Sequence, residues 1–253
     1  MRFVYFFTVS VKAVIWYDFA ARLPKQYRAI IINLRGHGDY FAEDKNNYNI
    51  IKYSSDIVDM VCRYNLNNIS LIGHSLGASV AIKVASNIPD RIRNLVLVDF
   101  SLSAKPAIHE NIMSQFREQC DGFGSPAEYA RWLSDKRPLT HPRMIPHIVS
   151  NALRETPEGR FVLKVDPAIK KIINNVSKFQ EDYKSILSEI LCRTLLIRGR
   201  GSAILSKKEA MDIVKILKDG ELQEISGAGH AVMTDNPDQF SETVNRFLVG
   251  SRS

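Results

Sequence analysis

Cysteine is scarce in this chain. Its 253 residues include only Cys62, Cys120 and Cys192. The number is odd and no C-x-x-C spacing occurs, so a disulfide framework or a thiolate zinc site is not the expected organiser of the fold. Reduced, partly buried thiols are the expectation. Long apolar runs are missing as well: no stretch beyond the N-terminal segment reaches the roughly 18 apolar residues of a membrane span. Internal repeats and low-complexity tracts are absent. So are blocks of five or six like charges, although Lys and Arg outnumber Asp and Glu by 34 to 27, giving a net charge of +7. Scattered basic residues imply a charged surface that mildly favours anionic ligands, and neither nucleic acid nor membrane is an expected partner. The N-terminal stretch "MRFVYFFTVSVKAVIW" has one basic residue ahead of an apolar run, as short secretory signals do. Lys12 interrupts it and no small-x-small cleavage site follows. The expectation is a cytoplasmic protein whose first residues form a strand.

What is present is a core-forming composition, 45% hydrophobic and 24% charged. It suits one globular domain with room for an inserted subdomain. Short apolar runs rich in β-branched residues lie at Phe3–Phe7, Ala29–Asn33, Ile69–Gly73, Leu95–Asp99, Thr194–Arg198 and Glu221–Ile225. Most are apolar throughout, the pattern of strands covered on both faces. Helical patterns fall between them, at Tyr53–Tyr64, Gly77–Ala85, Lys207–Leu217 and Pro237–Leu248. This alternation predicts an α/β fold with a doubly wound, mostly parallel sheet. From about Ser103 to Leu191 the rhythm breaks. That stretch is proline-rich and helical in pattern, without a strong strand signal before Thr194. Residues 1–102 and 192–253 are therefore expected to form the sheet core, and residues 103–191 a helical insertion.

The pentad Gly73-His74-Ser75-Leu76-Gly77 fits G-x-S-x-G. Two readings compete: a nucleophilic serine on a strained turn, or a glycine-flanked bend with a helix-capping serine. The strand "NISLIG" before it and the helix "GASVAIKVA" after it are the context the first reading requires. Side chains at Gly73 and Gly77 would collide with the neighbouring strand and helix. A serine nucleophile needs a base. Of six histidines, His230 is favoured, because it lies in the glycine-containing loop "ISGAGHAVM" between the last apolar run and the final helix. His37 in "LRGHGDY" is read as part of a tight loop supporting the nucleophile strand.

The segments "RAIIINLRGHGD", "LIGHSLGA", "LVLVDFS", "LLIRG" and "GAGHAVMTDNPDQF" resemble, in order and spacing, those of α/β-hydrolase fold enzymes. The resemblance runs from about Val4 to Leu248. It implies a sheet core with a helical cap; related enzymes usually have two more strands before this point, so either the sheet is trimmed at its N-terminal edge or the reading frame begins late. It also implies a triad of Ser75, an acid and His230. The family most often places the acid after the strand that follows the cap, where this chain has about Ser202 and no carboxylate before Glu209. Some relatives place it at the end of the strand before the cap, which points to Asp99. Asp235 is expected to cap the last helix together with Asn236. The oxyanion donors implied are the backbone N–H groups of Leu76 and Val9. The family's His-Gly pair is missing at the latter loop, where Phe7 and Thr8 stand. His74, Phe100 and Trp132 are candidate substrate contacts. Phe123, Tyr129 and Met144 could line an apolar pocket or pack the cap. The activity implied is hydrolysis of a small ester, thioester or lactone through an acyl-enzyme, needing no metal or organic cofactor. Carbon–carbon hydrolysis, acyl transfer and a ligand-binding protein on the same scaffold stay open, as does the oligomeric state.

Overall fold

A computed structural model describes residues 2–8, 13–38, 48–103, 106–170 and 183–250. Its core is a six-stranded sheet. The strands are β1 (Arg2–Thr8), β2 (Tyr27–Asn33), β3 (Ile69–His74), β4 (Ile92–Val98), β7 (Arg193–Gly199) and β8 (Gly220–Ile225), in the spatial order β2-β1-β3-β4-β7-β8. Every pairing is parallel, so the sheet is wholly rather than mostly parallel. All six residues of β3 are buried, and Leu95, Val96, Leu97 and Val98 of β4 are fully inaccessible. Each such aliphatic side chain contributes roughly 1.5–3 kcal/mol by leaving water. That is why these strands read as continuous apolar runs without alternation.

Chain direction decides where the helices lie. From β1 the chain steps to β2 on one side, and from β2 onward every step goes to the other side. Right-handed crossovers then put α1 (Tyr17–Ala21) on one face and α2 (Ile50–Arg63), α3 (Leu76–Asn87) and α8 (Lys207–Ile216) on the other. After the short helix α9 (Val232–Asp235), the terminal helix α10 (Pro237–Val249) returns to the α1 face, where Phe240 packs 6.0 Å from Trp16 and 5.4 Å from Phe19, centroid to centroid. Ligands of open parallel sheets bind at the strand C-terminal ends near such a reversal. Ser75 directly follows β3, the strand on which the reversal turns.

Between β4 and β7 the insertion carries α4 (Pro106–Asp121), α5 (Pro126–Lys136), α6 (Met144–Ala152) and α7 (Tyr183–Glu189). It is not purely helical, as the sequence pattern suggested. Leu153–Glu155 (β5) and Phe161–Leu163 (β6) form an antiparallel hairpin. These strands are three residues each, too short to give a periodic signal. The "RGHG" loop also differs from its expected role, because it docks the insertion. Gly38 N–H donates to Lys164 O and Asp166 N–H to Gly36 O, both at 2.8 Å, and His37 bridges to Val165. The Tyr48 hydroxyl donates to Asp166 Oδ2 at 2.7 Å, closing the same seam. Among the described residues, no helix is long and apolar enough to cross a membrane.

Candidate active site

Ser75 has φ 54° and ψ −121°, a region that costs a non-glycine residue about 1–3 kcal/mol. The turn is held by Ser75 N–H donating to Val98 O at 3.0 Å and by Ala78 N–H donating to Ser75 O at 2.9 Å. Ser75 is the N-cap residue of α3, but its side chain makes no capping hydrogen bond. The bland reading of a capping serine therefore does not describe it. Gly73 is required by close approach: a Cβ there would lie 2.4 Å from Gly77 O and 2.6 Å from Ala78 Cα. Leu76 opens α3, and its N–H is among the first of that helix, which lack intrahelical acceptors.

Asp99 follows β4 in a left-handed conformation, φ 49°, and is fully buried. Its Oδ2 lies 2.8 Å from His230 Nδ1 and 2.5 Å from Ser202 Oγ, and its Oδ1 accepts from Gly199 N–H at 3.3 Å. The hydroxyl of Ser202 also accepts from the N–H groups of Ile204 (3.2 Å) and Leu205 (3.1 Å). Both lone pairs are used, so its single proton goes to Asp99. Asp99 thus meets donors on every side. It acts as a carboxylate acceptor, His230 donates through Nδ1–H, and Nε2 keeps its lone pair.

The histidine loop reaches this point because Gly199 has no side chain. A Cβ on Gly199 would sit 2.0 Å from Gly229 O and 2.7 Å from Ala228 O. Gly201 N–H then donates to Ala228 O at 2.8 Å. Asp235, expected as a helix cap, does something else. Its Oδ2 accepts from Gly229 N–H at 2.9 Å, while Asn236 alone caps α10 through Gln239 N–H. Burial raises the Asp235 carboxyl above its usual range, and the Gly229 N–H opposes that shift. Glu209 is not an alternative acid either. A single oxygen of it accepts from Ser101 Oγ, Leu102 N–H, Ser103 N–H and Ser103 Oγ, at 2.7–3.1 Å, pinning the start of the insertion to α8.

The three expected substrate contacts, His74, Phe100 and Trp132, each have partners within the protein. The His74 ring is only 2% exposed, and its Nε2 lies 2.8 Å from His230 O, so Nε2–H donates and the ring supports the histidine loop. Burial, with the nearby His230 ring as the next cause, holds the His74 imidazole well below its ordinary pKa, hence neutral. Phe100 is buried edge-on against Tyr183, at 5.6 Å. Trp132 packs with Phe123 and Tyr129 in the insertion's own aromatic cluster, with its indole N–H donated to Glu118 at 2.8 Å. All three make packing or positioning contacts within the protein, and Phe123, Tyr129 and Met144 are likewise buried in the core. Val9 lies outside the described residues. Sequence reasoning missed the roles of Gly199, Ser202 and Glu209. Gly199 ends an apolar run just as Gly73 does, which is the one signal that could have found it.

The chain is similar to known proteins along most of its length. A 2-(acetamidomethylene)succinate hydrolase of Mesorhizobium japonicum is 20% identical over 251 residues, spanning 97% of this chain and 87% of its own. The sn-1-specific diacylglycerol lipase ABHD11 of Mus musculus is 24% identical over 88% of this chain and 72% of its own. The crystal structure of an E-2-(acetamidomethylene)succinate hydrolase shares the fold with a TM-score of 0.87 at 18% identity, covering 99% of this chain and 91% of that one. The model of the alpha/beta hydrolase fold family matches residues 12–237, nearly the whole sheet core and its insertion, and the chain belongs to that family.

Proposed function

We propose that the protein is a serine hydrolase that cleaves a small ester, thioester or lactone through an acyl-enzyme. The observation carrying this reading is the Asp99–His230 hydrogen bond at 2.8 Å, with the His230 ring 4.5 Å from that of His74, the residue before a serine that is strained and makes no capping bond. His230 Nε2 takes the Ser75 proton as Oγ attacks the acyl carbonyl. Asp99 fixes the tautomer and stabilises the imidazolium that forms. The Leu76 N–H stabilises the oxyanion, and loss of one such donor costs about 2.7–4 kcal/mol of barrier. His230 then gives its proton to the leaving group. Water, deprotonated by His230, attacks the acyl-enzyme and releases the acid. The names of the relatives, a hydrolase and a lipase, support bond cleavage by water.

Fluorophosphonate labelling tests the proposal. Wild type should be modified at Ser75, and Ser75→Ala should not. Absence of labelling in well-folded wild type would overturn it. A p-nitrophenyl ester series of increasing acyl length then gives the size of the acyl site.

A further inference from the structure

The turn between α5 and α6 lies against the histidine loop. His141 N–H donates to Thr234 O at 2.9 Å. The Leu139 Cδ1 is 3.3 Å from where a Cβ on Gly229 would stand and 3.7 Å from the same point on Gly201. Gly229 directly precedes His230, so this turn borders the loop that carries His230. Thr140 N–H donates to Arg137 O at 2.9 Å, which sets the two residues on one tight turn.

Two polar groups on that turn are unspent. Arg137 is half-buried, and among the described residues its guanidinium has no hydrogen bond or ion pair. Thr140 is 6% exposed, and its Oγ1 is buried without a partner. The Arg137 charge lies near enough to act on His74, Tyr129 and Asp235, which belong to β3, the insertion and the end of the histidine loop. None of these three neutralises it by contact. Tyr129 is a buried phenol, His74 is a neutral ring, and Asp235 spends an oxygen on Gly229 N–H. A partly desolvated guanidinium without a partner is costly, and a carboxylate offers it a bidentate, charge-assisted match.

We propose that Arg137, with the Thr140 hydroxyl, binds a carboxylate on the substrate, so that the preferred substrates are acyl compounds carrying a second, anionic group. This rests on the hydrolase reading above. The guanidinium supplies charge and orientation, the hydroxyl supplies one further donor, and neither takes part in bond making. The net charge of +7 favours the approach of such a substrate.

The test compares mono-p-nitrophenyl glutarate with p-nitrophenyl pentanoate, chains of similar length with and without the terminal carboxylate. Wild type should favour the glutarate ester at least tenfold in kcat/KM. Arg137→Gln should cut that ratio at least tenfold, and Arg137→Lys should keep part of it. A ratio equal in wild type and Arg137→Gln overturns the proposal, and a drop in Tm alone would leave Arg137 as a counter-charge to Asp235. Calorimetric titration of glutarate into Ser75→Ala, with and without Arg137→Gln, separates the two readings. Arg137-dependent binding without cleavage of either ester would sink the hydrolase reading and keep the anion site. Cleavage of both esters without any dependence on Arg137 would do the reverse.

Discussion

Asp99→Asn is the sharpest perturbation the site offers. The carboxylate accepts from Ser202 Oγ, His230 Nδ1 and Gly199 N–H, and it is fully buried. An asparagine keeps the shape and has one oxygen acceptor in place of two. Its amide group must then face at least one of these donors. If it faces His230, the amide donates to Nδ1, the tautomer reverses, and Nε2 carries the proton it should be receiving. In a serine protease triad the same substitution lowers kcat about 10⁴-fold, which corresponds to about 5.5 kcal/mol of barrier. A similar loss is expected here, with stability lowered by about 1–3 kcal/mol for the buried group left unpaired. The assay is steady-state ester hydrolysis beside a fluorophosphonate labelling rate, with near-UV circular dichroism and Tm confirming the fold. Both rates should fall together. Turnover within threefold of wild type in a folded Asp99→Asn protein would refute the assignment of Asp99 and the tautomer argument built on it.

Other consequences are equally direct. His74 is held neutral by burial while the unfolded chain protonates near 6.5, so the unfolded state binds one more proton as pH falls below that value. Stability should therefore drop by about 1.4 kcal/mol per pH unit below 6.5 until the folded-state value is reached. In His74→Gln, which keeps a donor for His230 O, that component of the slope should vanish; equal slopes in urea titrations between pH 5 and 7 would refute it. Gly199→Ala should cost at least about 2 kcal/mol by driving a Cβ into the Gly229 carbonyl. For a chain of this size that lowers Tm by about 4–8 °C. The same variant should also lose activity through displacement of His230, and an unchanged Tm would contradict the close approach. Cys62 is exposed, whereas burial pushes the Cys192 thiol up to about 11. A maleimide at pH 7 should therefore label Cys62 in the native protein and reach Cys192 only on unfolding, as peptide mass mapping would show.

Much of the fold is local information. The runs that became β3, β4 and β7 are apolar because both faces of those strands are covered, and that condition is visible residue by residue. The elbow was legible for a similar reason: a glycine on either side of His74-Ser75-Leu76, placed between a strand and a helix, leaves few other conformations. The hairpin of the insertion escaped notice because three-residue strands carry no period. The partners of His74, Phe100 and Trp132 were not legible because residue type says what a side chain can do and nothing about which way it faces.

The sequence by itself determined the parallel sheet and the insertion between its fourth and seventh strands, and it singled out Ser75 and His230 as the expected nucleophile and base. It narrowed the acid to a few carboxylates. Only the tertiary structure shows that Asp99 is the one bonded to His230, because that depends on groups distant along the chain. Asp99 and His230 are 131 residues apart, and Asp99 and Ser202 are 103 apart. Their meeting needs β4 beside β7, a bare glycine at the end of β7, and a serine whose lone pairs are already occupied. No window of sequence holds those conditions together. They arise where strand ends converge on one edge of the sheet, and there the charge on Asp99 and the proton on His230 are set.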